Sequence, residues 1–325
     1  PNGKKPVVIK TFAQLQRMTF KEPKVLVPGL ITEGCYLLAA RPKIGKSWMT
    51  LNIGLAVAMG TTCLSGSKQC EQGDVLYLAL EDGEKRLQRR GSKLLPTFNG
   101  TWPANFHYAT DWPRGDECLI EIERWIIAHP NARLVVIDIL AKVRVPSSAK
   151  LSAYEQDYNA LSGFQKLAQK YSITIIVVHH TRKSAGVDMG DEISGTQGIG
   201  GAVDAYIVIK TTTKGKIMQT TGRDIDESEL LVQFDHETCQ WEILGNPDAV
   251  LASETRKAVM EVLTHADAPM GPTEIASATG IERTTVSQML YRLGEDGVVV
   301  KRGRGKYELK RSQSTGSGDG WETGF

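Results

Sequence analysis

One short stretch carries the strongest chemical signal. Ala40, Arg41, Pro42, Lys43, Ile44, Gly45, Lys46 and Ser47 fit GxxxxGK[ST], with alanine in place of the first glycine. The stretch lies between an apolar run, Tyr36 to Ala40, and a segment of helical spacing from Trp48, the context such a loop requires. Backbone N–H groups of the loop and of the following helix N-terminus then face the phosphates of a nucleotide. Gly45 permits the tight loop, Lys46 meets the β- and γ-phosphates, and the Ser47 hydroxyl coordinates Mg²⁺. ATP and Mg²⁺ are the expected cofactors, held by residues 40 to 48, Trp48 included.

Three polar strand ends extend the constellation. Asp138 closes Leu-Val-Val-Ile-Asp, the place for a Walker-B carboxylate that holds Mg²⁺ through water. Glu81 follows Leu-Tyr-Leu-Ala-Leu, where a carboxylate orients and deprotonates the attacking water. His179 and His180 follow Ile-Ile-Val-Val, where a polar side chain can sense the γ-phosphate. Each alone is compatible with a solvated strand end. Together they mark the carboxyl ends of strands, where open α/β sheets bind ligands.

The elements that must position these groups are legible as apolar runs. Residues 36–40, 75–80, 134–138 and 173–178 read as continuous Val/Ile/Leu-rich strands separated by helical segments. That pattern predicts a parallel sheet covered on both faces. Residues 205–210, 217–221 and 230–235 read as alternating strands of a meander. From Tyr154 to Gln169 the spacing predicts a helix with Tyr158, Leu161, Phe164 and Leu167 on one face, a core stripe. Residues 182–199 have no apolar periodicity and read as a mobile loop.

Composition sets bounds. The chain has 325 residues, enough for about two domains. With 41% hydrophobic and 23% charged residues it can build an ordinary globular core. A net charge of +2 means that any nucleic-acid site comes from local clusters. Cys35, Cys63, Cys70, Cys118 and Cys239 show no CxxC or zinc-ligand spacing, so reduced thiols of a cytoplasmic protein are expected. No run of about 18 apolar residues predicts a membrane span. Pro1 at the start suggests trimming, or a piece of a longer chain that could carry a primase or polymerase module upstream.

At this point the residues resemble a family. Gly45-Lys46-Ser47, Leu80-Glu81-Asp82, Val136-Ile-Asp138 and His179-His180-Thr are similar to the RecA-like core of RepA-type plasmid replicative helicases and related phage and mobile-element ATPases, over about residues 25–245. The resemblance implies roles: Glu81 as catalytic base, Asp138 on Mg²⁺, His180 as γ-phosphate sensor. It implies a hexameric ring with ATP at subunit interfaces and an arginine finger from a late strand of the neighbour. Arg223 is the leading candidate; an ion pair with Asp224 or Asp226 is its ordinary alternative, and Lys210, Lys214 and Lys216 are other cations in reach. The loop carrying Arg182 and Lys183 corresponds to central-channel loops that follow single-stranded DNA. No DnaB-type N-terminal collar is visible in the sequence.

The C-terminal part reads as a separate unit. Residues 272–280 and 282–293 resemble the helix-turn-helix of winged-helix domains, followed by a hairpin over 297–309. The second helix would expose Arg283, Thr284, Thr285, Ser287 and Gln288 to a major groove. The wing carries Lys301, Arg302, Arg304 and Lys306, a pattern suited to clasping phosphates. Duplex DNA or a docked protein is the expected partner. The expected organisation is thus an arm or linker at 1–24, a RecA-like α/β core at 25–245, a linker at 246–252, a winged helix at 253–311 and a disordered tail at 312–325.

Three functions fit. The first is a hexameric motor moving on single-stranded DNA during replication of a plasmid, phage or mobile element. The second is an ATPase of the same fold for recombination, or a nucleotide-controlled switch that recruits partners. The third is a DNA-binding regulator that uses ATP to control its oligomeric state.

Overall fold

The structure is a computed structural model, and it describes residues 8–64, 66, 69–96, 100–145, 153–181, 199–223 and 225–310. The expected tail at 312–325 and the basic loop residues Arg182 and Lys183 lie outside the described residues. The chain divides into two compact units, residues 1–243 and 244–325.

The first unit runs α1 (Phe12–Gln16), β1 (Val25–Val27), β2 (Ile31–Thr32), β3 (Gly34–Ala40), α2 (Lys46–Met59), β4 (Asp74–Ala79), α3 (Glu84–Leu94), β5 (Phe106–Ala109), α4 (Asp116–Ala128), β6 (Ala132–Asp138), α5 (Leu140–Val143), α6 (Ala153–Tyr171), β7 (Thr174–His180), β8 (Ala205–Thr212), β9 (Gly215–Gly222), β10 (Ser228–Phe234) and β11 (Trp241–Gly245). Among the described residues nine strands form one sheet in the order β11-β10-β9-β8-β3-β7-β6-β4-β5. The strands from β8 to β5 pair in parallel, and β9 and β10 return antiparallel. This is the mainly parallel α/β architecture expected from the apolar runs. Every residue of β3 is buried, as a central strand covered on both faces requires.

Alternate residues of the central strands feed two cores. One holds Leu38, Tyr77 and Val136 beneath α2 and α3. The other holds Leu37, Leu78 and Val135 beneath α4 and α6. The predicted stripe of α6 packs there: Leu161 and Phe164 are fully buried, Leu167 nearly so, and Tyr158 lies at its edge. The sequence reading did not find β5, α4 or β11. The helix α4 carries exposed Ile120 and Ile127, which blur its apolar period.

β3 lies between β7 and β8, whereas the next strand in the chain, β4, lies beyond β6. The connections after β3 therefore diverge, and a crevice opens outside its carboxyl end. There the Ala40 carbonyl accepts from Thr181 N.

The second unit packs α7 (Pro247–Thr264), α8 (Pro272–Thr279) and α9 (Arg283–Glu295) against the hairpin of β12 (Val299–Arg302) and β13 (Lys306–Leu309). Val259, Ile275, Val286, Leu290, Leu293 and Val299 make its core. This is the winged-helix unit. The linker expected at 246–252 is instead the start of α7. Asn246 caps it, its side chain accepting from Asp248 N and Ala249 N, and Pro247 sits in the first helical turn, where its missing N–H costs nothing. The helix expected from Ser253 thus begins six residues earlier.

Candidate active site

The loop after β3 behaves as its sequence requires. Gly45 caps α2 with φ of 113°, a left-handed backbone favoured by glycine. A side chain there would also meet the indole of Trp241, whose Nε1 lies 3.1 Å from the Cβ position. Trp241 on β11 is fully buried and donates to the Gly45 carbonyl at 3.0 Å. Neither its type nor its spacing marked Trp241 in the sequence, 196 residues from Gly45. Ala40 is the last, buried residue of extended β3, so this position does not need glycine.

Lys46 is buried, and its ammonium donates to the carbonyls of Ala40 at 2.7 Å and Arg41 at 2.9 Å. Burial pushes its pKa down to about 8, against the pull of Asp138 and Glu81. Arg41, Pro42 and Lys43 are exposed, Ile44 packs partly on the core, and the Trp48 ring carries the Arg90 guanidinium 5.2 Å from its centre.

Asp138 ends β6 beside α2 and is buried. Tyr77, from the middle of β4, reaches Asp138 Oδ2 at 3.2 Å, the Ser47 carbonyl at 3.3 Å and Thr50 Oγ1 at 3.0 Å. Burial and the charge of Asp138 hold the Tyr77 hydroxyl protonated. Burial raises the carboxyl pKa of Asp138, Ser47 and Tyr77 draw it down, and the carboxylates of Glu81 and Asp82 raise it further. Asp138 Oδ1 is buried with no hydrogen-bond partner. A buried oxygen without a partner costs free energy unless something binds it. This oxygen, beside Ser47 and the loop before α2, fits a hard cation held by few protein ligands.

Glu81 lies just past β4, about 40% exposed, and its Oε2 is 3.4 Å from His180 Nε2. His180 is the last residue of β7, and its Nδ1 is buried without a partner. His179 turns to the other side of the strand. Burial lowers its pKa, opposed by Asp157, which pairs with Arg144 at 2.8 Å. Asp82, next to Glu81, is bound by Arg86 and Arg90, so it anchors α3 behind the site. The structure thus brings Lys46, Ser47, Glu81, Asp138 and His180 to one edge of the sheet.

Arg223 is elsewhere. Gly222 pairs with Ala205, the first residue of β8, and Arg223 N donates to Asp204 O. Its guanidinium donates to Gly201 O at 2.8 Å. It therefore lies at the amino ends of the parallel strands, opposite the carboxyl ends where its own phosphate loop sits. Lys210, near the end of β8, lines a pocket of about 230 Å³ with Arg41, Lys43 and Thr181 at the nucleotide edge.

In the winged helix Arg283, Thr284, Thr285 and Gln288 are exposed on α9, and Ser287 is half-buried. The four wing cations are not equivalent. Arg302 pairs with Glu308 at 2.8 Å and Lys306 with Glu274 at 2.6 Å. Lys301 and Arg304 are exposed and make no ion pair among the described residues.

The AAA_25 family model, an AAA domain, matches residues 4–186, more than half of the chain. The chain belongs to the AAA_25 family. The match spans β3 through β7, and so every strand end of the candidate site. An IclR helix-turn-helix model matches residues 258–303, from within α7 to the wing. Among similar solved structures is one titled "The Structure Of A DnaB-Like Replicative Helicase And Its Interactions With Primase", at 15% identity and a TM-score of 0.48, covering 71% of this chain and 60% of that one. No curated protein matches the chain. Among the described residues of this AAA_25 protein no helix is long and apolar enough to cross a membrane. The five cysteines are free and buried.

Proposed function

We propose that this AAA_25 ATPase is a motor of the replicative DNA helicase type, acting as a ring of copies with ATP at their interfaces and single-stranded DNA within. The observation that supports it most is the convergence of Lys46, Ser47, Asp138, Glu81 and His180 at one sheet edge, with Asp138 Oδ1 and His180 Nδ1 buried and unpaired.

ATP phosphates would lie on the backbone N–H groups of residues 43–47. Lys46 would exchange its two carbonyl partners for phosphate oxygens. Ser47 and Asp138 would hold Mg²⁺, which supplies charge neutralisation on the phosphates. Glu81 is the exposed carboxylate that orients and deprotonates water, and His180, beside it, carries the γ-phosphate state to β7. The cation supplied by a neighbouring copy is assigned to Arg223, with Lys210 as the alternative at the nucleotide edge. Arg182 and Lys183 would follow the DNA backbone. Duplex DNA contacts fall to Arg283, Thr284, Thr285 and Gln288 on α9, with Lys301 and Arg304 the stronger contributors of the wing.

The test is ATP hydrolysis with and without single-stranded DNA, with particle size measured on the same sample. Stimulation by DNA in a hexamer-sized ring supports the motor. An open filament points to a recombination ATPase. Hydrolysis indifferent to DNA in a monomer overturns the motor reading.

A further inference from the structure

A groove of about 600 Å³ lies away from the phosphate loop, on the face of the sheet covered by α2 and α3, beside the edge strand β5. Leu51, Leu55 and Phe106 line it. Two large aromatics stand open to solvent along it, Trp102 at 40% and Tyr108 at 49% exposure. The six-membered ring of Trp102 lies against α3 at Gly91, where a Cβ would sit 2.7 Å from it. Glycine at this point is what lets the ring form part of the wall.

The rim is cationic. The helix α3 carries five cations and one carboxylate in Glu84–Leu94. Arg86 and Arg90 are occupied by Asp82. Lys85 and Arg89 are exposed, one helical turn apart, and make no hydrogen bond or ion pair among the described residues. Lys85 itself lines the groove. The one acid on the lining, Glu84, accepts from the Tyr108 hydroxyl at 3.2 Å. Aromatic faces beside regularly spaced cations match a polymer of flat bases joined by phosphates. An acidic peptide would satisfy the cations but has no need of the open ring faces.

We propose that this groove is a subsite for single-stranded nucleic acid, with a base against Trp102, Phe106 and Tyr108 and the adjoining phosphates on Lys85 and Arg89. It is separate from the loop and winged-helix contacts proposed above, and it requires neither hydrolysis nor unwinding. Because α3 begins three residues after Glu81, occupancy of the groove borders the catalytic carboxylate.

The experiment uses the full chain without nucleotide and fluorescein-labelled dT20, read by anisotropy. Lys85→Glu with Arg89→Glu, and separately Tyr108→Ala, should each weaken binding roughly tenfold, while Tyr108→Phe, which keeps a stacking face, binds as the parent. Loss of two phosphate contacts should lower the salt slope by about 1.4. Glu84→Gln should tighten binding. A dT20 carrying 4-thiothymine should crosslink within residues 100–109, which localises the contact apart from the winged helix. Hydrolysis without DNA should be unchanged in all four variants, so a failed motor assay and a failed groove are told apart. Crosslinks found only elsewhere, or dT20 binding unaffected by both charge reversal and Tyr108→Ala, overturn the subsite. So does polyglutamate that binds as tightly as dT20 and responds to the same variants.

Discussion

The two units handle charge in opposite ways. At the nucleotide edge of the first unit two of the working groups are buried: Lys46 and Asp138 are almost wholly enclosed, and Asp138 Oδ1 and His180 Nδ1 are buried atoms without a partner. In the winged helix the charged groups are exposed or half-buried, and Arg302, Lys306 and Arg256 are matched with Glu308, Glu274 and Asp296. Buried, unsatisfied groups are costly and interact strongly with whatever binds them. Exposed pairs are worth about 0–1 kcal/mol each and are screened by salt. The first pattern suits chemistry on a small, highly charged ligand; the second suits reversible contact along a surface.

The contrast can be broken most forcefully at Lys46. Lys46→Ala should reduce hydrolysis to background, a loss of about 10³-fold or more, because among the described residues Lys46 is the buried cation of the proposed phosphate loop. Retained turnover would show that the buried edge is not where ATP reacts. Glu81→Gln should cut hydrolysis by about 10²- to 10⁴-fold while nucleotide still binds, the mark of a group acting on water rather than on the ground state. Equal loss of binding would place Glu81 in a structural role.

Arg223 tests whether a copy completes its neighbour. Arg223→Ala should lose about 10³-fold in hydrolysis with binding intact, and mixing it with Lys46→Ala protein should restore activity. If Lys210→Ala shows that behaviour and Arg223→Ala does not, the trans cation lies on the nucleotide edge.

Smaller effects sharpen the picture. Lys46 titrates near pH 8, below the ordinary lysine value of 10.5, because burial disfavours its charge. Bound triphosphate favours the charged form and raises that pKa. Binding at pH 8 should therefore take up about half a proton, seen by calorimetry in buffers of different ionisation enthalpy, and affinity should fall as pH rises above 8. Binding without proton uptake would place the phosphates away from Lys46. In the other unit, Lys301→Ala with Arg304→Ala should lower the salt slope of duplex binding by about 1.8, and Arg302→Ala with Lys306→Ala by less, since those two cations are already paired. Equal slopes would remove the distinction between paired and unpaired wing cations.

The sequence by itself determined the local chemistry. Gly45-Lys46-Ser47 needed only a strand before it and a helix after it, and both are written in short-range apolar spacing. The polar ends of three further strands, Glu81, Asp138 and His180, were visible because each interrupts an apolar run. The helix-turn-helix was visible for the same reason, since its period and its glycine stop lie within a few residues. Tertiary structure decided what distant segments do to one another. Pairing of β9 with β8 carried Arg223 to the amino ends of the parallel strands. Folding of β11 onto the far end of the meander placed Trp241 on Gly45, and the strand order set Tyr77 between Asp138 and Ser47. It brought Cys63 and Cys70 to 3.6 Å, and laid Trp102 on Gly91. Spacing along a chain fixes which groups share one element, but only the register and order of strands fix which elements share an edge.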